Sequence, residues 1–438
     1  YLIKEISMSK EENRKNFSKY VSQNILGMIG FSCYVLADSY FISIAKGADG
    51  LTALNLVMPL YSIIFSIGEM IGVGSAIRYA ISKIKKDADA DDYFWNALIW
   101  CILSSMLFVF AGIFFSADIM RVLGADEHIV AVGNNYTKIF MCFAPMFMCN
   151  YVTNAFVRND GAPGIAMSAT LFSSLFNIVF DYILMFPMNL GMEGAALATA
   201  LSPIIGMGIC SIHFFSKKSS VRLVVCKPSV RKLVAGSQLG VSAFVGEMSS
   251  AVITLAFNFV ILKLAGNVGV AAYGVVANIA IVTTAVFNGV AQGSQPLISS
   301  CFGRGDKDGC TQLKRMGYTT AFVLAAVMYS ILFIFAGQFV AVFNSEGSEM
   351  LRLYATEGVK LYFIGIFFAG INIVGGGAFS ATEDAFKAAV VSVARGFVLI
   401  LGAVFVMSAL FGMTGVWLAY AVAEGITTFI MLVMVLRV

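Results

Sequence analysis

The chain has 438 residues, of which 59% are hydrophobic and 12% charged, with a mean hydropathy of +0.85. A water-soluble domain carries about 25% charged residues, so a soluble globular fold is excluded. The formal net charge of +4 rests on 29 Lys and Arg against 25 Asp and Glu, too slight and too dispersed an excess for a nucleic-acid partner.

A membrane-spanning helix needs roughly 20 mostly apolar residues. The tail "KEISMSKEENRKNFSK" (4–19) is charged and runs directly into an apolar stretch, so no cleavable signal peptide is expected. A start at Tyr1 rather than Met is expected of a chain whose natural N-terminus lies upstream. Residues 21–45 form the first long apolar run, with Asp38 as its one acidic or basic residue, and residues 94–115 have none. Continuing along the chain, apolar runs separated by short polar breaks predict about twelve spans. They cover 20–45, 51–82, 93–116, 128–157, 161–186, 190–216, 233–262, 268–302, 312–340, 350–381, 385–410 and 412–437. The runs are too long for barrel strands and show no period-two alternation, so helices are predicted throughout.

Placing both termini on one side puts all but six of the basic residues there, the exceptions being Lys46, Arg121, Lys138, Lys263, Arg352 and Lys360. That asymmetry predicts cytoplasmic termini and makes the basic excess a topology signal. The longest basic break, "KKSSVRLVVCKPSVRK" (217–232), reads as a cytoplasmic linker between an N-terminal six-helix bundle (1–216) and a C-terminal one (233–438). A repeat supports this division. "GMEGAALATA" (191–200) aligns with "GMTGVWLAYA" (412–421), and "GEMIGVGSAI" (68–77) with "GVAQGSQPLI" (289–298), both at an offset of 221. With an even number of spans in each half, the repeats enter the membrane in one sense and enclose a cavity between them.

An ionisable group within a span costs roughly 2.5–3.5 kcal/mol on insertion scales, so a functional role is the first expectation. Asp38 and Asp181 lie well inside their spans, and Asn177 precedes Asp181 by four residues, which puts amide and carboxylate on one helix face. Such a group can share a proton or ligate a small hard cation; a structural hydrogen bond to a neighbouring helix is the plainer alternative. Glu247 is the only acidic residue from 233 to 262, while Glu69 and Glu424 suit either function or packing. Glu357 and Lys360, at i and i+3, are expected to pair, and Arg395 is expected to reach the membrane interface. Gly375–Gly377 suggests close helix contact more than a hinge. Eight dispersed cysteines without a C-x-x-C pair are expected to be free thiols, and two histidines are too few for a His-based metal site. No nucleotide-binding or hydrolytic motif occurs, so neither enzyme activity nor a cofactor is expected, and any driven transport must use an ion gradient.

Five segments resemble the multidrug and toxic compound extrusion (MATE) transporters. They are "LADSYFISIAKGADGLTALNLVMP" (36–59), "NIVFDYILMFPMNLGMEGAALATALS" (177–202), "GVAAYGVVANI" (269–279) with "QPLISSCFGRGD" (295–306), and "FGMTGVWLAYAVAE" (411–424). The resemblance implies two six-helix bundles related by pseudo-two-fold symmetry, set in a V around a central cavity. It also implies export of amphipathic, often cationic, compounds against inward H⁺ or Na⁺ flow. By match of position it implies a cation-coupling site, for H⁺ or Na⁺, at Asp38, Asn177, Asp181 and Thr199. Tyr136 and Asn154 match cavity-lining polar residues, and Glu247 matches a glutamate many members use in the C-terminal bundle; Glu69 is a further cavity candidate. Two departures stand out. Span ten has no aspartate, Asn372 being its nearest polar substitute, and span one has Gly27 and Gly30 but no proline to bend it.

The resulting expectation is a multi-pass inner-membrane antiporter, working by alternating access, monomeric, with small amphipathic molecules and the bilayer as its partners. A lipid-linked oligosaccharide flippase would need cavity arginines, whereas the deep charges here are mainly acidic. An uncoupled channel or receptor fits the repeat and the buried carboxylates less well.

Overall fold

The computed structural model describes residues 10–343 and 348–436, and among these every regular element is a helix. They run α1 (Lys10–Gly47), α2 (Asp49–Lys85), α3 (Asp92–Val122), α4 (Glu127–Cys142), α5 (Ala144–Asn159), α6 (Pro163–Met185) and α7 (Gly191–Phe214). Then follow α8 (Val230–Gly303), α9 (Lys307–Ile334), α10 (Ala336–Phe343), α11 (Glu349–Ala381) and α12 (Ala385–Leu436).

Length shows that some of these elements cross the membrane twice. At 1.5 Å per residue the 74 residues of α8 would reach about 110 Å, against a hydrocarbon core of about 30 Å. The chain instead turns sharply at Gly266 (φ 62°) and, within α12, at Gly412 (φ 57°); Gly47 (φ 58°) separates α1 from α2 in the same way. A Cβ would be strained at such φ values, so glycine is required at these turns. α4 and α5 together make one span bent by 46°, with Pro145 just past the break. Among the described residues twelve crossings result, as the apolar runs predict. The span read at 128–157 is broken between α4 and α5, and α1 begins at Lys10, ten residues before its apolar run. α1 shows no interruption at Gly27 or Gly30.

The sequence repeat is also a backbone repeat. Gly47 and Gly266, 219 residues apart, share one left-handed conformation, and so do Gly191 (φ 51°) and Gly412, 221 apart. Two six-helix bundles follow, each with its own buried core. One core centres on Tyr79, Phe140 and Phe156, the other on Phe257, Phe287, Phe363 and Trp417.

The bundles meet at the membrane face where the described chain starts, here the Lys10 face. A Cβ on Gly240 would lie 2.0 Å from the Met70 carbonyl oxygen, and one on Gly74 would lie 2.1 Å from that of Gly236. α1 crosses the second arm of α8 just as closely, at Gly289 and Gly293. Small residues four apart thus let backbones of opposite bundles touch. Polar contacts reinforce the seam. Arg78 of α2 pairs with Glu383, Lys232 pairs with Asp92 at 2.5 Å, and Asn13 donates to Gln312 at 3.3 Å. The segment 217–229 lies without helix along the first bundle, held by Asp160, which accepts from the Ser220 amide at 2.9 Å, and by Asn96, which accepts from the Ser229 amide at 2.6 Å.

Candidate functional site

Three helices of the first bundle bring the predicted cation residues together. α6 carries Asn177 and Asp181 one turn apart on its buried face, α7 carries Thr199, and α1 carries Asp38. Asn177 and Asp181 are fully buried, Thr199 nearly so, and Asp38 is 6% exposed. Only one orientation of the Asn177 amide satisfies its neighbours. Its nitrogen donates to Asp181 Oδ2 at 3.1 Å and its oxygen accepts from the Thr199 hydroxyl at 3.1 Å. That leaves Asp181 Oδ1 and Asp38 Oδ1 buried with no hydrogen-bond partner. A buried carboxylate oxygen without a protein partner is costly unless a proton, a cation or a water meets it.

Tyrosines close the cluster. The Tyr61 and Tyr136 hydroxyls share a hydrogen bond, and Tyr61 stacks on Phe140 at 3.6 Å between centroids. Tyr34, one turn from Asp38 on α1, lines a second feature, the central cavity.

This cavity is lined by Tyr34, Glu69, Asn154, Arg158, Glu247 and Gln292 among others, with aromatic walls from Phe31, Phe65 and Tyr151. It has about 110 Å³ of water-accessible space, enough for several waters but below the roughly 300 Å³ of a small drug-ligand pocket. Its floor joins the bundles. Gln292 of α8 donates to Glu69 Oε1 at 3.1 Å and accepts from Arg158 Nη1 at 2.6 Å.

The MatE family profile matches residues 24–183 and 243–406. The chain belongs to the MatE family. The multidrug export protein MepA of Staphylococcus aureus strain MRSA252 is 27% identical over 414 residues, covering 92% of this chain and 89% of that protein. Among solved structures, an outward-facing multidrug resistance MATE family transporter of the MOP superfamily matches with a TM-score of 0.88 at 20% identity, over 97% of this chain and 96% of that one. A MATE crystal structure in the straight conformation matches at 0.90 and 19% identity, over the same shares. These likenesses establish the fold.

The second bundle of this MatE chain holds a different buried cluster. Arg395 and Glu424, both on α12, pair at 2.6 Å, with side chains 15% and 3% exposed. Asn372 of α11 donates to Glu424 Oε2 at 2.7 Å and accepts from the Thr428 hydroxyl at 3.0 Å. The expectation that Arg395 reaches the interface is overturned. One π-helical turn at Ala394–Val398 adds a residue to the local period and re-aims Arg395 inward. The Glu357–Lys360 pair is likewise not formed. Glu357 accepts from Thr414 at 2.7 Å, and Lys360 lies 5.2 Å from the Phe333 ring centroid.

Other predicted residues separate by location. Asn154, Glu69 and Glu247 line the cavity, whereas Tyr136 sits beside the carboxylates, wholly buried. Gly375 faces Met431 and Gly377 faces Ala291, so the triple glycine serves close packing. All eight cysteines are free, though Cys33 is exposed. Three residues that sequence reasoning passed over belong to these sites. Tyr34 could have been found from its i, i+4 spacing to Asp38; Arg158 and Gln292 carry no such local signal.

Proposed function

We propose that this chain is a cation-coupled antiporter that exports amphipathic, often cationic, compounds across the bacterial inner membrane, with both termini in the cytoplasm. The observation that carries the reading is the pair of partnerless carboxylate oxygens, on Asp38 and Asp181, buried beside Asn177 and Thr199. Two anionic carboxylates at this depth are costly, and a proton or Na⁺ relieves the cost. The multidrug export name of the Staphylococcus relative supports the substrate class. Glu69 and Glu247, set among aromatic rings, suit a lipophilic cation better than an anion.

The bundles, taken as 1–216 and 233–438 with 217–232 between them, act as the two rocking bodies. Their contacts gather at the Lys10 face, which supports reading this arrangement as the state closed to the cytoplasm. In that state the ion enters the Asp38–Asp181 cluster from outside and substrate leaves. Reversal releases the ion inward and admits new substrate. The ion drives export only if it binds one state more tightly than the other. Arg158 lends the flippase reading a single cavity cation, outweighed there by Glu69 and Glu247.

The test is efflux from proteoliposomes holding either a pure Na⁺ gradient or a pure pH gradient. One gradient is expected to drive accumulation of a fluorescent lipophilic cation; equal leak under both and under neither overturns the reading.

A further inference from the structure

A groove of about 510 Å³ runs down the membrane-facing seam between α1 and α9, outside the central cavity. The two helices come from opposite bundles and descend side by side from the Lys10 face. At its mouth stand Arg14 and Arg315, both exposed and without an ion-pair partner among the described residues. Below them the lining turns apolar, through Phe17, Val21 and Ile25 on α1 and Met316 and Leu324 on α9. Ser18, Ser22, Thr319 and Thr320 supply hydroxyls along the way.

Depth identifies what such a shape accepts. From Arg14 to Ile25 is eleven residues of helix, or about 16 Å, close to the roughly 15 Å of one leaflet's hydrocarbon. From Arg315 to Leu324 is about 14 Å. The two cations therefore stand at headgroup level, and the apolar floor below them runs about 12 Å, most of one acyl leaflet. The groove is also held in place. Gln312 of α9 donates to the Lys10 carbonyl at 3.0 Å and accepts from Asn13, which ties the helix tops together. At the back, Gly289 and Gly293 let α1 lie against α8, where Phe17 and Val21 are 5% and 4% exposed.

We propose that this groove is a binding site for an anionic phospholipid, its phosphate held between Arg14 and Arg315 and one acyl chain laid along Phe17, Val21 and Ile25. Basic pockets between membrane helices select anionic headgroups by charge, and the apolar floor fixes the chain's course. Because α1 and α9 belong to opposite bundles, an occupant that touches both favours the arrangement in which they lie this close. The site depends on the membrane setting of the fold and stands whether or not the Asp38–Asp181 cluster couples transport.

Native mass spectrometry of the full chain in detergent, titrated with phosphatidylglycerol or phosphatidylcholine of matched acyl chains, tests it. Phosphatidylglycerol is expected to bind preferentially. Arg14→Gln and Arg315→Gln should each weaken it about fivefold, and together about 25-fold, following the value of a basic residue near an anionic headgroup. The control Arg231→Gln, outside the groove, should change nothing, and melting temperature confirms that each variant folds. A short-chain phosphatidylglycerol, or glycerol phosphate, should compete poorly. Equal binding of the two long-chain lipids, unchanged affinity in the double variant, or full competition by glycerol phosphate overturns the proposal.

Discussion

Each bundle buries a carboxylate beside an asparagine amide and a threonine hydroxyl, but the two finish the site differently. In the first, Asn177 bridges Asp181 to Thr199 and a second carboxylate, Asp38, stands by, with one oxygen of each acid unpartnered. In the second, Asn372 bridges Glu424 to Thr428, and the Arg395 guanidinium occupies the remaining side of the acid. Several kcal/mol of desolvation per ion must be offset in either place. The second bundle offsets it permanently with a built-in cation. The first has no built-in cation beside its carboxylates, which suits the proposed exchangeable ion. If the proposed coupling holds, paired and unpaired versions of one motif divide a structural role from a transport role within a single fold.

The largest effect should follow from neutralising one of those carboxylates. Asp181→Asn or Asp38→Asn replaces a carboxylate by its neutral isostere, and ion-driven efflux from proteoliposomes should fall to the uncoupled leak, a loss of about 100-fold or more if one group carries the charge. Melting temperature should hold or rise, because a buried like-charge pair is removed. Retained ion-driven efflux in Asp181→Asn would break the comparison. The converse holds on the other side. Glu424→Gln leaves the Arg395 charge buried and unpaired and should cost about 3–5 kcal/mol of stability, read as a drop in melting temperature. The double variant Arg395→Met with Glu424→Leu should recover most of that loss and keep ion-driven export. Loss of export in a stable double variant would make the second bundle a coupling partner as well. A smaller change, Asn177→Ala, removes the donor to Asp181 and should cost about 1–3 kcal/mol while weakening ion dependence rather than abolishing it.

The asymmetry was half legible in the sequence. Asp38, Asn177 and Asp181 announce themselves because a charged side chain in an apolar run has few explanations, and helical spacing alone aligns two of them. Their convergence with Thr199 follows from the family resemblance and from α1, α6 and α7 packing together. Glu424 and Asn372 are visible too, but not as partners, since 52 residues separate them. Arg395 misleads because a regular helix places it near the interface, and a π turn is not written in apolar periodicity. The span count was readable from run lengths; the turns at Gly47, Gly266 and Gly412 fall at the breaks between runs but were not themselves read from them. The α4–α5 break was not, although Pro145 lies within that run, because a proline in a membrane helix bends as often as it is accommodated. Contacts across the seam, such as Gln292 with Arg158, depend on how whole bundles sit and have no local signature.

The smallest predicted effect sharpens the comparison by contrast, since it concerns a charge pair whose acid stands in water. Lys232, at the start of α8, bridges to Asp89 at 3.0 Å and Asp92 at 2.5 Å, joining the bundles at the Lys10 face. The hydrogen bond from Lys232 holds the Asp89 carboxyl below its ordinary range. A depressed carboxyl stabilises the folded state above its unfolded pKa and loses that contribution as pH falls through the folded value. Asp89 is 61% exposed, so solvent and salt screen the pair and its worth is about 0.3 kcal/mol. Asp89→Asn should therefore lower the melting temperature by no more than about a degree at pH 7, and the difference should vanish near pH 3. A deficit of several degrees, or one that persists in acid, would mean that the seam rests on this exposed pair. Contact through Gly74, Gly236 and Gly240, where backbones touch directly, predicts instead that removing it barely moves the closed state.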